Sequence, residues 1–233
     1  MTGSFALTAL WLPATCLAFW GARRLYLRGQ QRAWLHPVLT ASLFLIGLLI
    51  VLDVPYTDYR TANMPLIWLL GPATVALAIP TFAQLQRIRA IWPALLFSVL
   101  CGSIVAMGSA ILLAQALGLE AAVVRSLIPK SVTTPVALGI AEKVGGVPEL
   151  AAVIVILVGV MGAVFARPWL ELLRVTDPAA KGMAIGLSAH GVGTAEAVRM
   201  GPVTGAFSGL AMGLTALMTA LLAPAALWWL GGA

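Results

Sequence analysis

The run Leu150-Ala151-Ala152-Val153-Ile154-Val155-Ile156-Leu157-Val158-Gly159-Val160-Met161-Gly162-Ala163-Val164-Phe165-Ala166 carries no charge, and Arg167, Arg174 and Lys181 follow it. A helix rises 1.5 Å per residue, so about 20 apolar residues cross a hydrocarbon core of about 30 Å. We read a span from Leu150 to Leu173. Before it lies Ile91 to Leu117. After it comes Val203 to Leu230, interrupted by Pro224 and ending in Trp228 and Trp229. Toward the start lie Phe5 to Trp20, Pro37 to Val54 and Pro65 to Ala83. The whole chain agrees: of 233 residues, 61% are hydrophobic and 9% charged, against about 45–50% and about 25% in soluble domains. This composition excludes a soluble globular enzyme, a disordered protein and a disulfide scaffold. It predicts an all-α polytopic integral membrane protein with six to eight transmembrane helices, in a single domain over residues 1–233.

The net charge of +6 would suggest nucleic acid in a soluble protein. In a membrane protein its distribution matters instead, because basic residues in short loops fix orientation. Loops near residues 23–36 (Arg23, Arg24, Arg28, Arg32), 84–90 (Arg87, Arg89) and 174–181 (Arg174, Lys181) fall on one face, read as cytoplasmic. With Arg167 they hold 9 of the 14 basic residues. The stretch Asp53 to Arg60 reads as a loop on the far side, with Tyr56 and Tyr59 at the interface. Residues 4–22 lack a basic leader and a small-residue cleavage site, so they read as a retained first span. Cys16 and Cys101 lie in apolar runs and read as small packing residues.

Two stretches are not simple spans. Residues 119–147 are largely apolar yet must start and end on one side, and residues 182–201 are rich in Gly, Ala, Ser and Thr around a His and a Glu. Both read as re-entrant or as broken crossings, which occur only where protein buries them or a watery cavity is lined. A short echo joins Val75-Ala76-Leu77-Ala78-Ile79 to Val136-Ala137-Leu138-Gly139-Ile140, each with Pro and Thr just before it. It is compatible with chance or with an internal structural repeat of units near 37–117 and 119–175. Paired Gly/Pro-interrupted segments point to the binding site of a secondary transporter.

Pro129-Lys130-Ser131-Val132-Thr133-Thr134-Pro135-Val136-Ala137, followed by Gly145-Gly146-Val147-Pro148, resembles the signature of the LrgB/CidB family of bacterial membrane proteins. Ala189-His190-Gly191-Val192-Gly193-Thr194-Ala195 and Gly205 to Met212 are similar to its second block, and Leu70 to Ala78 to its first. Around Glu196 to Arg199 the chain departs from the pattern, with the acidic residue first and the basic one later. The plant chloroplast members join an LrgA-like half to an LrgB-like one; the residues here match the LrgB half. The resemblance implies a multi-pass protein of the bacterial inner membrane and two functional stories. One is a secondary transporter of small monocarboxylates (pyruvate, glycolate or glycerate), with proton coupling. The other is a holin/antiholin-like effector of murein hydrolase activity, acting with a small LrgA/CidA-like membrane protein.

The candidate substrate-binding residues are Thr74, Lys130, Ser131, Thr133, Thr134, His190 and Thr194. A Lys at membrane depth is costly and by default functional, although Lys130 could instead snorkel to the interface. The hydroxyls suit a carboxylate, but in membrane helices they also bond back to their own helix. His190 is a buried helix contact or a protonatable group. Glu196 and Glu142 are the other proton-coupling candidates, though Glu196 with Arg199 could form an i,i+3 pair, and Glu142 precedes a Gly-Gly helix stop. Ser188 and His190 do not share a helix face, and no nucleophile elbow or metal-ligand spacing is present. We therefore expect no enzyme, no cofactor and no metal. The expected partners are the lipid bilayer, a small carboxylate, an LrgA/CidA-like protein and, through small-residue helix faces, a second copy; nucleic acid is not among them.

Overall fold

The computed structural model describes residues 2–30 and 35–231; the side chains of residues 2–9, 70 and 74 fall outside the description. Arg32 of the expected basic loop lies outside the described residues. Among the described residues all regular structure is helical. Four stretches of the described residues are long and apolar enough to cross a membrane: Met64–Ala83, Leu85–Ala116, Pro148–Leu172 and Pro202–Trp229. The outer face of Pro148–Leu172 exposes Val153, Ile156, Leu157 and Met161, each by more than half. A contiguous apolar face of that kind belongs against lipid. The protein is an all-α polytopic membrane protein.

The chain forms two compact units, residues 1–76 and 77–233. In the first, α1 (Thr2–Arg28) packs on α2 (Pro37–Val51) and on α3 (Tyr56–Ala62). At one end of the pair Tyr26 meets His36 edge to face at 5.7 Å. At the other, Tyr59 stands edge-on to Trp11 at 5.7 Å and shares a 2.9 Å hydrogen bond with Thr15. The stretch Asp53–Arg60, expected as a loop, therefore contains a short helix. Pro55 in extended conformation starts it, Asp58 lies in its first turn, and Tyr59 docks it on α1. Helix α4 (Met64–Ala76) completes this unit.

The second unit begins with α5 (Ala78–Ala83). Pro80 lacks the N–H that would have bonded the Ala76 carbonyl, so the apolar run Pro65 to Ala83 is helical in two pieces. Three long helices follow in the chain: α6 (Leu85–Ala116), α9 (Pro148–Leu172) and α11 (Pro202–Trp229). Between the first two lie α7 (Ala121–Leu127) and α8 (Thr134–Lys143); between the last two lies α10 (Pro178–Met200).

Buried clusters fix the level of each element. Leu95 and Val99 of α6 meet Ala179 and Met183 of α10 and Phe207 and Ala211 of α11 at one end. Met107 and Ile111 of α6 meet Val124, Ile140 and Val144 and, on α11, Ala223 and Ala226 at the other. Helices α6 and α11 thus run in the same direction. Leu170 of α9 packs with Ile185 and Ala189, so α9 runs the opposite way. The end bearing the start of α6 and the finish of α9 carries Arg87, Arg89, Arg167, Arg174, Lys181 and Arg199 against Glu171, Asp177 and Glu196. We call it the basic end. There Arg87 bonds Asp177 at 2.6 Å, and Asp177 caps α10 by accepting the Ala180 N–H at 2.8 Å.

Candidate functional site

Helix α10 does not cross. At His190 the backbone takes φ 40° and ψ −135°, a conformation suited to a tight reversal rather than to helix continuation. A Cβ on Gly193 would lie 3.0 Å from the Ile185 side chain and 3.5 Å from its carbonyl oxygen. Eight residues along a straight helix are about 12 Å apart, so residues 191–200 fold back along residues 178–189. Both arms lie on the start of α11. Gly182 touches the Thr204 carbonyl and Gly186 that of Ser208, while Val198 of the returning arm meets Gly205. The 12-residue first arm reaches about 18 Å inward, roughly the middle of a bilayer. The segment 182–201 is a re-entrant hairpin entering from the basic end, with His190 at its tip.

Residues 119–147 form the matching feature from the opposite end. Ser126 accepts the Val147 N–H at 2.8 Å, so the chain returns to where it entered. Turns extend α7 inward through Ile128, Lys130 and Val132. The chain reverses at Thr133 (φ −70°, ψ 151°), and α8 runs outward from Thr134 with Pro135 in its first turn. Gly145, at φ 69°, ends the return.

The two tips converge. Val132 and Ala137 from the first hairpin pack on Val155 of α9, with Ala216 of α11 beside them. The His190 ring of the second hairpin bonds the carbonyl oxygen of the same Val155 through Nε2 at 2.9 Å. Gly159 makes room for that ring: a Cβ there would lie 2.6 Å from His190 Cε1. Ala189 sits on Gly162 in the same way. Span-then-hairpin therefore occurs twice in succession, with opposite sense.

The structure brings some of the sequence-derived candidates together and not others. Ser131, Thr133 and Thr134 line the first tip, and His190 forms the second. Thr194, fully buried, shares a 2.9 Å hydrogen bond with Ser208 of α11 and lies 3.9 Å from Met212 Sδ. Lys130 belongs to the inward arm of the first hairpin and donates to Ser131 Oγ at 3.1 Å. The remaining candidates stand away from the tips. Glu196 is buried near the basic end and pairs with Arg199 at 2.9 Å. Glu142 is exposed at the outer end of α8. The side chain of Thr74 lies outside the described residues.

The first turn of α8 leaves N–H groups without intrahelical acceptors, with the Thr133 and Thr134 hydroxyls beside them. That combination suits a carboxylate. Sequence reasoning missed a buried polar stripe on α11: Thr204, Ser208, Thr215 and Thr219. Their spacing of four, seven and four places them on one helical face, a signal present in the sequence but masked by the apolar run around it.

Known proteins extend the picture. The profile of the LrgB-like family matches residues 15–229. The chain is 37% identical over 210 residues to the uncharacterised protein YwbG of Bacillus subtilis, covering 90% of this chain and 93% of that one. It is 34% identical to an uncharacterised protein of Haemophilus influenzae, covering 90% of each. It is 32% identical over 188 residues to the antiholin-like protein LrgB of Bacillus mycoides, covering 81% of this chain and 82% of the relative. No solved structure matches. With the profile spanning nearly its whole length, the chain belongs to the LrgB-like family.

Proposed function

We propose that this protein is a secondary transporter of small monocarboxylates of the pyruvate, glycolate or glycerate type, without catalytic activity of its own. The observation that carries this reading is the convergence of two opposed re-entrant hairpins on Val155. Broken helices that meet at membrane depth are the usual construction of a carrier's site. The substrate carboxylate sits at the start of α8, held by N–H groups and by the Thr133 and Thr134 hydroxyls. Lys130 adds positive charge from the same arm, and His190 or Glu196 takes the coupled proton. Movement of the hairpins against the long helices exposes the site to each side in turn. The excess of basic side chains at one end supports placing residues 84–90 and 174–181 in the cytoplasm of a bacterial inner-membrane protein, and Arg23, Arg24 and Arg28 support the same for the 23–36 loop.

A second reading is an antiholin-like effector of murein hydrolase activity working with an LrgA/CidA-like partner. The names of relatives such as the antiholin-like LrgB of Bacillus mycoides support it more directly than they support transport. The two readings separate in one experiment. Purified protein in liposomes is tested for uptake of labelled pyruvate and glycolate, and the same variants are tested for control of lysis in cells. Saturable uptake, reduced at least tenfold by Lys130→Ala or by Thr133→Val with Thr134→Val, supports the carrier. Absent uptake with lysis control intact in those variants overturns it in favour of the effector.

A further inference from the structure

Ser103 of α6 and Thr215 of α11 are both more than nine-tenths buried, and neither hydroxyl has a hydrogen-bond partner among the described residues. A helical Ser or Thr can satisfy itself on the carbonyl one turn back. Other hydroxyls of this unit do so: Ser126 on Ala122, Ser188 on Ala184 and Thr81 on Leu77, each at 2.7 Å. Ser103 and Thr215 forgo that bond.

The two hydroxyls lie at one level. Leu95 and Val99 meet Phe207 and Ala211 below, and Met107 and Ile111 lie with Ala223 and Ala226 above. Ser103 follows Val99 by one turn, and Thr215 follows Ala211 by one turn. They form a polar layer between two apolar ones in the α6–α11 seam. The layer is also level with the hairpin tips. Leu187, three residues before His190, packs its side chain on Gly102, and Ala216 belongs to the cluster at the first tip.

The reversal at His190 ends the first arm of α10 beside this layer. A helix end presents carbonyl oxygens that no following turn satisfies, with a partial negative charge of about half an electron. At the second tip His190 is turned to the Val155 carbonyl by its Nε2 bond, and at the first the Lys130 ammonium is engaged by Ser131 Oγ at 3.1 Å. Neutral oxygens are at hand in the two hydroxyls and in the carbonyls that end the arm. No group of three or more His, Cys, Asp or Glu side chains is placed for a metal ion among the described residues, which argues against a divalent ion. Neutral hydroxyls and helix-end carbonyls suit a hard monovalent cation.

We propose that Ser103, Thr215 and the last carbonyls of the first α10 arm form a sodium site that fixes the hairpin tip against α6 and α11. The proposal does not depend on which solute, if any, the protein carries. The test uses the full chain, purified in detergent, melted in NaCl and in KCl or choline chloride at equal ionic strength. The expected result is a saturable rise in Tm on the order of 5 °C specific to sodium, with slower hydrogen exchange over residues 186–191. In Ser103→Ala with Thr215→Val the sodium response disappears while the sodium-free Tm stays at or above that of the parent, because removing an unsatisfied hydroxyl costs little. If the double variant does not fold, the single variants are read the same way, each with a weakened response. An equal effect of all three salts, as expected for bound water alone, overturns the proposal. So does a sodium response retained in the variants. Liposome uptake is scored separately, so failure of the carrier reading leaves this result unaffected.

Discussion

His190 holds a backbone conformation that a side chain rarely adopts, at a typical cost of about 1–3 kcal/mol. The bond to the Val155 carbonyl and the slot at Gly159 hold it there. His190→Ala loses the bond and keeps the strain, whereas His190→Gly loses the bond and relieves the strain. We therefore expect the Gly variant to be more stable than the Ala variant by about 1 kcal/mol, measured by denaturation of the purified protein. The reverse order would place the reversal elsewhere. Asp177 supplies a pH test. The Ala180 N–H, and then Arg87, hold its carboxyl below the ordinary carboxylate range. Its contribution is complete above the unfolded carboxylate pKa of about 4 and is lost as pH falls through the lower folded value. Asp177→Ala should cost about 1 kcal/mol at neutral pH, and the gap to the parent protein should close in strong acid.

The same contacts decide which elements tolerate change. Gly159→Ala drives a Cβ into the His190 ring and should destabilise by about 1–3 kcal/mol, with the hairpin 178–200 becoming protease-sensitive first. Gly213→Ala on α11, where a Cβ meets nothing within 4 Å, should be neutral or slightly stabilising in the same assay. The long helices were legible in the sequence because a charge-free apolar run has few other uses. Pro135, the Gly145-Gly146 pair and the glycines around His190 marked both irregular segments. What the sequence did not reveal was the reversal within α10. The 182–201 segment is long enough to cross, and the turn falls on a histidine rather than on one of its glycine neighbours. Contacts between the two arms, such as that of Gly193 with Ile185, separate a hairpin from a crossing. The stretch around Tyr59 reads as a loop in sequence because its helix is short and depends on Trp11 and Thr15, far away in the chain.

At the scale of the second unit, the two hairpins make opposite ends of the protein chemically distinct. With Cys16 and Cys101 replaced, single cysteines at Glu120 and Glu149 should react with an impermeant thiol reagent from one side of sealed vesicles. Cysteines at Arg174 and Lys181 should react from the other side. Labelling of all four from one side would refute the opposed arrangement. Of the candidate site, the tip residues Thr133, Thr134 and His190 could be chosen from local sequence alone. Ser103 and Thr215 could not, because their significance lies in the register between two helices more than a hundred residues apart.

The meeting of Val132, Val155 and Ala216 also constrains how the chain is made. Neither hairpin is long enough to hold itself across a bilayer, so each depends on neighbours that emerge later from the ribosome. The first tip lacks its α11 neighbour until the last long helix is inserted, more than eighty residues after Val132. During synthesis that hairpin must wait, shallow or unseated, while α9 and the second hairpin are laid down. Docking is thus a late step of biogenesis. A nascent chain stopped before Pro202 should present residues 128–147 to a protease that the finished protein excludes.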